Sequence, residues 1–151
     1  MRSLSEIETT AKRATRAAGY SWGVGEEVGK AIRILEIFGF AGIINLDQYF
    51  KVKKKIKFEN FDYFKSHNQP KKDPYCPIMF GISFLDQIRD IEKLNKISVN
   101  NIGFPFLVLP FLSRSSEIIG KKIQYKFDEY EFNLNLNLNI SFKNFFRSKI
   151  T

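Results

Sequence analysis

The residues with the strongest claim to chemistry cluster near the N-terminus: Tyr20, Ser21, Trp22 and Gly23, followed by Glu26 and Glu27. Trp22 is the only tryptophan of the chain. At the start of a helix, free backbone amides, an indole face and two carboxylates are groups that would converge on a small ligand or on a partner. The same residues also suit a purely structural role, since a Trp can close the end of a helical hairpin and first-turn glutamates match the positive end of the helix dipole. Two readings therefore attach to Tyr20, Trp22, Glu26 and Glu27: a ligand or partner contact, or a capped hairpin.

Cys76 and His67 are each the only residue of their kind. A thiolate activated by an imidazole would be a nucleophile, but the two lie nine positions apart with no third group to orient them. A structural cysteine is the plainer expectation. One cysteine and one histidine fall short of a zinc-type ligand set, so neither a metal nor a cofactor is expected. Gly23-Val24-Gly25 with Gly29 has a dinucleotide-fingerprint look, yet its spacing is one residue too long and the preceding segment reads as helix rather than strand. Close helix packing accounts for the same glycines.

A different surface is spelled by Lys53, Lys54, Lys55 and Lys57 with Phe58, Phe61, Tyr63 and Phe64. Cations for a phosphate backbone interleaved with rings for bases make up a single-stranded nucleic-acid platform. All eight cations of residues 51–72 are lysines, however, whereas arginine is favoured for bidentate and stacking contacts. Nucleic-acid contact through Lys53, Lys54, Lys55 and Phe58 is kept as an alternative and is not the favoured reading.

The elements that must position these groups follow from spacing. Ser3 precedes Glu6 by three, a capping-box interval, and Leu4, Ile7, Ala11, Ala14 and Ala18 then recur at helical steps until Gly19. After the Tyr20–Gly23 bridge, Val24, Val28, Ala31, Leu35 and Phe38 resume the pattern, and Gly39 stops it. Two helices and a short connection predict an α-hairpin, with Ala11, Ala14, Ala17 and Ala18 facing Gly25, Gly29 and Ala31. A large side chain at Gly29 should force the helices apart. A third helix is predicted over 41–50. Ser66 to Pro70 and Asp73-Pro74 read as loop, and Ile78 to Leu94 as a helix.

Beyond Asn95 the pattern turns β-like. Lys96 to Asn100 reads as a short strand, and Ile102 to Leu112 as a buried run whose Pro105 and Pro110 bar it from a central strand. Ser113 to Ile119 reads as helical turns ended by Gly120. Tyr130, Phe132, Leu134, Leu136, Leu138, Ile140 and Phe142 occupy every even position, predicting one long amphipathic strand. Ile123, Tyr125 and Phe127 alternate likewise, so a hairpin at Asp128-Glu129 is predicted. The Leu-Asn repeat specifies its register weakly, because a slip of two residues presents almost the same face.

Composition bounds the remaining choices. A chain of 151 residues with 44% hydrophobic and 26% charged residues suits one globular domain, too apolar for a disordered chain and too polar for a membrane bundle. The expected organisation is a single domain over 1–151, with a helical part at 3–50, a basic loop region at 51–77 and mixed helix and strand at 78–151. The formal net charge is +8, of which residues 51–72 carry +6. Basicity is thus local and a weak guide to function. The most apolar run, Ile102 to Leu112, is far short of the ~20 residues a membrane span needs, the opening residues carry no apolar run of signal-peptide length, and one cysteine cannot form an internal disulfide. A cytoplasmic location away from membranes is expected.

The N-terminal stretch Ser3-Leu4-Ser5-Glu6-Ile7-Glu8, then Ala11-Lys12-Arg13-Ala14, Ala17-Ala18-Gly19-Tyr20-Ser21-Trp22-Gly23 and Glu26-Glu27, resembles the opening of a bacterial family of uncharacterised proteins, the domain of unknown function numbered thirty-seven twenty-six. The resemblance covers about the first forty residues. It implies a helical opening and a bacterial origin, and nothing catalytic.

Together these readings give an α+β fold, an N-terminal α-helical hairpin and further helices packed on a small antiparallel sheet with a C-terminal β-hairpin. With no assembled acid/base, nucleophile or metal constellation in the sequence, the favoured function is a non-catalytic interaction or accessory protein with a protein partner or as a homo-oligomer. The enzyme or ligand-binding alternative requires Tyr20, Trp22, Glu26 and Glu27 to point into one cleft.

Overall fold

The computed structural model describes residues 3–52, 76–94, 97–98, 102–134 and 140–144, the last of these through their backbone. Helices α1 (Leu4–Ala17) and α2 (Trp22–Ile37) form the predicted hairpin. Each begins on a serine: Ser3 Oγ accepts from the Glu6 amide and Ser21 Oγ from the Val24 amide, both at 3.2 Å. Such caps satisfy amides that the first helical turn leaves without intrahelical partners. Between the helices Gly19 adopts φ 106°, a left-handed value that a Cβ would oppose.

The hairpin is tight for a specific reason. A Cβ built on Gly29 would stand 2.9 Å from the Glu8 carbonyl oxygen, and one on Gly25 would stand 3.2 Å from that of Lys12. The glycines of α2 thus receive the backbone of α1. This rotates α1 relative to the predicted alanine seam: Ala11 and Thr15 are buried, whereas Ala14 and Ala17 lie exposed. Glu8, Ala11, Lys12 and Thr15 form the row that faces α2, and Thr15 Oγ1 is satisfied by the Ala11 carbonyl at 2.7 Å.

Helix α3 (Gly42–Val52) follows, its Ile43 amide donating to the Glu36 carboxylate of α2 at 3.0 Å. The predicted helix over Ile78 to Leu94 is two helices, α4 (Pro77–Asp86) and α5 (Ile88–Ile91), parted at Gln87 with φ −97° and ψ 6°. Apolar periodicity runs unbroken through Ile88 and Ile91, which both remain buried, so the break leaves no mark in the hydrophobic pattern. The run Ile102 to Leu112 opens on a single bridge residue, Ile102, and a bend at Gly103-Phe104 before it turns helical. It forms a 3-10 turn (Pro105–Val108) leading into α6 (Leu109–Ile119), with both prolines in first turns, where the missing N–H costs nothing. Gly120, at φ 67°, ends α6 as its position predicts.

The sheet is antiparallel in the order β1 (Ile123–Phe127), β2 (Tyr130–Leu134), β3 (Ile140–Asn144). Phe127 pairs with Tyr130 across the predicted Asp128-Glu129 turn. The single long strand expected from Tyr130 to Phe142 is corrected to two, because Leu134 pairs with Ile140 and Phe132 with Phe142 in antiparallel register. The even-numbered alternation is the same on both strands, which is why it reads as one. Among the described strands β2 is therefore the central one, and β1 and β3 lie at the edges.

The described buried side chains form one apolar cluster running from Ala11 through Leu35, Ile78 and Val108 to Leu134. Phe106 joins its layers, with its ring 5.9 Å from Phe40 after α2 and 5.0 Å from Phe127 of the sheet. Ser116 Oγ ties α6 to the sheet through the carbonyls of Lys121 and Leu134.

Candidate functional site

The corner between α1 and α2 sends its side chains in three directions. Tyr20 points inward and is fully buried, its hydroxyl 3.2 Å from Cys76 Sγ at the N-cap of α4. Its ring lies 6.0 Å from Phe50 of α3, and Tyr49 beside Phe50 is buried too. Burial, reinforced by Cys76, pushes the phenol pKa of both Tyr20 and Tyr49 well above the ordinary value, so both are neutral donors and acceptors, not bases, at physiological pH.

Trp22 points outward and is 59% exposed. The Arg16 guanidinium carbon sits 4.6 Å from its ring centroid and Lys12 Nζ 5.6 Å from it, within cation–π range. Arg16 is held there by a 2.8 Å hydrogen bond from Nη1 to the Tyr20 carbonyl. Lys12 is shared with Glu26 at 3.4 Å. Trp22, Lys12, Arg16 and Glu26 thus form one surface group, supported from below by buried Tyr20.

Glu27 belongs elsewhere. It pairs with Arg114 of α6, both side chains being about a quarter to a third exposed, and with Lys30 at 3.7 Å. Of the four residues singled out by sequence, Trp22 and Glu26 share Lys12, Tyr20 faces the core and Glu27 bridges α2 to α6. They do not line one cleft. The residues missed at the sequence level are Lys12, Arg16 and Arg114. The i, i+4 spacing of Lys12 and Arg16, one short turn before Trp22, carries a readable signal, whereas nothing local points to Arg114.

Lys53, Lys54, Lys55, Phe58 and His67 lie outside the described residues, and with them the nucleic-acid surface and the cysteine–histidine pair. Among the described residues no group of three His, Cys, Asp or Glu is placed to hold a metal ion. Among them, too, no helix is long and apolar enough to cross a membrane.

These features define an α+β protein with a tightly crossed N-terminal helical hairpin that carries an exposed cation–aromatic corner. Residues 2–75 match the model of the family described as Protein of unknown function (DUF3726), the family that the opening residues resemble. No curated protein and no solved structure matches the chain.

Proposed function

We propose that the chain is a non-catalytic interaction or accessory protein of the bacterial cytoplasm, and that the Trp22 corner is its contact surface. The observation that carries this reading is the exposure of Trp22 together with the cations ordered over it. Trp, Tyr and Arg are the residue types that dominate binding hot spots, because a rigid ring and a planar guanidinium offer large contact area at small entropic cost. Here the ring is already fixed at a capped helix start and the guanidinium is already tethered, so little ordering remains to oppose association. The single cysteine is in keeping with a reducing compartment.

The test is capture from a lysate of the producing cells by the wild-type chain and by Trp22→Ala, quantified by mass spectrometry, with sedimentation velocity on each protein alone. The reading predicts a partner or self-association retained by the wild type and lost by the variant. Identical captured sets and identical sedimentation for the two proteins would overturn it.

A further inference from the structure

The corner's charge distribution specifies what kind of partner it fits. Lys12, Arg13 and Arg16 occupy slightly more than one turn of α1, and all three stand at the Trp22 end of the hairpin. Lys12 is spent on Glu26 and Arg16 partly on the Tyr20 carbonyl. Arg13 is exposed and makes no ion pair among the described residues; it borders a shallow polar hollow with Thr9 and Glu6. Arg13 and Arg16 are three residues apart, so their side chains are neighbours on the helix surface. A guanidinium carries five N–H donors in a fixed fork, which leaves Arg16 able to pair with a carboxylate beyond its bond to Tyr20.

The cationic stretch is also short. Glu6 and Glu8 flank it along α1, and Glu26 flanks it on α2. Five residues of helix span only ~7 Å, about the reach of one or two anionic groups. A nucleic-acid strand gains affinity by neutralising many phosphates in succession, and here its next phosphates would meet glutamates. A peptide needs only one carboxylate on the arginines and one apolar side chain on the indole.

Resting on the interaction reading above, we propose that the Trp22 corner docks an acidic segment of another protein, one side-chain carboxylate of which pairs with Arg13 and Arg16 while an adjacent apolar side chain covers Trp22. Trp22 is the only tryptophan of the chain, so its fluorescence reports on this corner alone. The test titrates the whole chain with a random glutamate–leucine copolymer, with polyglutamate and with oligodeoxythymidylate, exciting the indole selectively. The expected result is a saturable change in emission with the glutamate–leucine copolymer, weaker binding of polyglutamate, and copolymer binding about tenfold weaker in Arg13→Glu. Because Arg13 is exposed and makes no ion pair among the described residues, that variant should keep the wild-type fold, which circular dichroism verifies. Tighter binding of oligodeoxythymidylate than of the copolymer, an unchanged titration in Arg13→Glu, or self-association that disappears in Trp22→Ala would each overturn the proposal, the last by making a second copy the occupant. Copolymer that leaves the emission unchanged while Trp22→Ala still loses a lysate partner removes the acidic-segment proposal alone. Loss of nothing by Trp22→Ala removes the interaction reading beneath it.

Discussion

Three glycines of α2 allow one chemical change to be made at three clearances. A methyl at Gly23 meets nothing within 4 Å, at Gly25 it meets the Lys12 carbonyl at 3.2 Å, and at Gly29 the Glu8 carbonyl at 2.9 Å. Replacing glycine by alanine in a helix stabilises by up to ~1 kcal/mol through lower chain entropy in the unfolded state, and by nearer 0.5 kcal/mol in a first turn. Against this stands overpacking, roughly 1–3 kcal/mol where the obstacle is backbone that cannot turn aside. Gly23→Ala should therefore stabilise by about 0.5 kcal/mol. In Gly25→Ala gain and cost should nearly cancel, and Gly29→Ala should destabilise by up to ~2 kcal/mol. Urea unfolding followed by circular dichroism measures the series. With an m-value of about 2 kcal/mol per M, the outer two variants should differ in midpoint by roughly 1 M. A Gly29→Ala protein as stable as Gly23→Ala would refute the claim that α2 glycines receive the α1 backbone.

Buried serines of α6 give a second contrast. Ser116→Ala removes a hydroxyl that serves two carbonyls and should cost about 1–2 kcal/mol, whereas Ser113, fully buried with no partner for its Oγ among the described residues, should tolerate alanine without loss; thermal unfolding of both distinguishes them. Tyr20, Tyr49 and Tyr125 all have phenol pKa values raised first by burial, above the ordinary 10.0. The unfolded chain then releases these protons before the native one does, so their contribution is complete below pH 10 and is lost progressively as the pH climbs beyond it. Absorbance at the phenolate band should show these three tyrosines, of six in the chain, ionising only as the fold melts, and free titration of all six near pH 10 with the fold intact would contradict their burial. Breaking the α2–α6 ion pair by Glu27→Gln should lower stability by about 1 kcal/mol, given its partial burial, and an unchanged unfolding midpoint would show that solvent screens it fully.

What could be read from sequence was local. Ser3, Gly19, Gly39 and Gly120 announce their positions because a cap or a left-handed residue depends on a few neighbours only, and the three glycines have positive φ. The α+β layout followed from two periodicities, 3.6 and 2. The rotation of α1 did not, since Ala14 and Ala17 satisfy a helical stripe as well as Thr15 does, and only the approach to Gly25 and Gly29 chooses between them. Nor did the reversal between β2 and β3, because Leu134 and Ile140 share parity whether the chain continues or turns back. At the candidate site, Trp22 and Glu26 were legible as groups of a helix start, but the sequence left open whether the ring closes the hairpin or faces outward. The partners of Tyr20 and Glu27 were not, because Cys76 and Arg114 lie 56 and 87 residues away and no local pattern encodes such distances.

The contact between Tyr20 and Cys76 has a consequence for synthesis. Residues 3–52 emerge from the ribosome before residues 76–119, yet the apolar faces of α2 and α3 are covered by Ile78, Leu107, Val108 and their neighbours. At ~5–20 residues per second, the nascent hairpin waits on the order of ten seconds with Ile32, Leu35 and Leu46 uncovered. Tyr20 waits with them for its thiol partner. A fragment stopped at residue 75 would keep the family-matched span and lack Ile78, Leu107 and Val108, so it should emerge as a chaperone client, whereas the whole chain supplies those side chains itself.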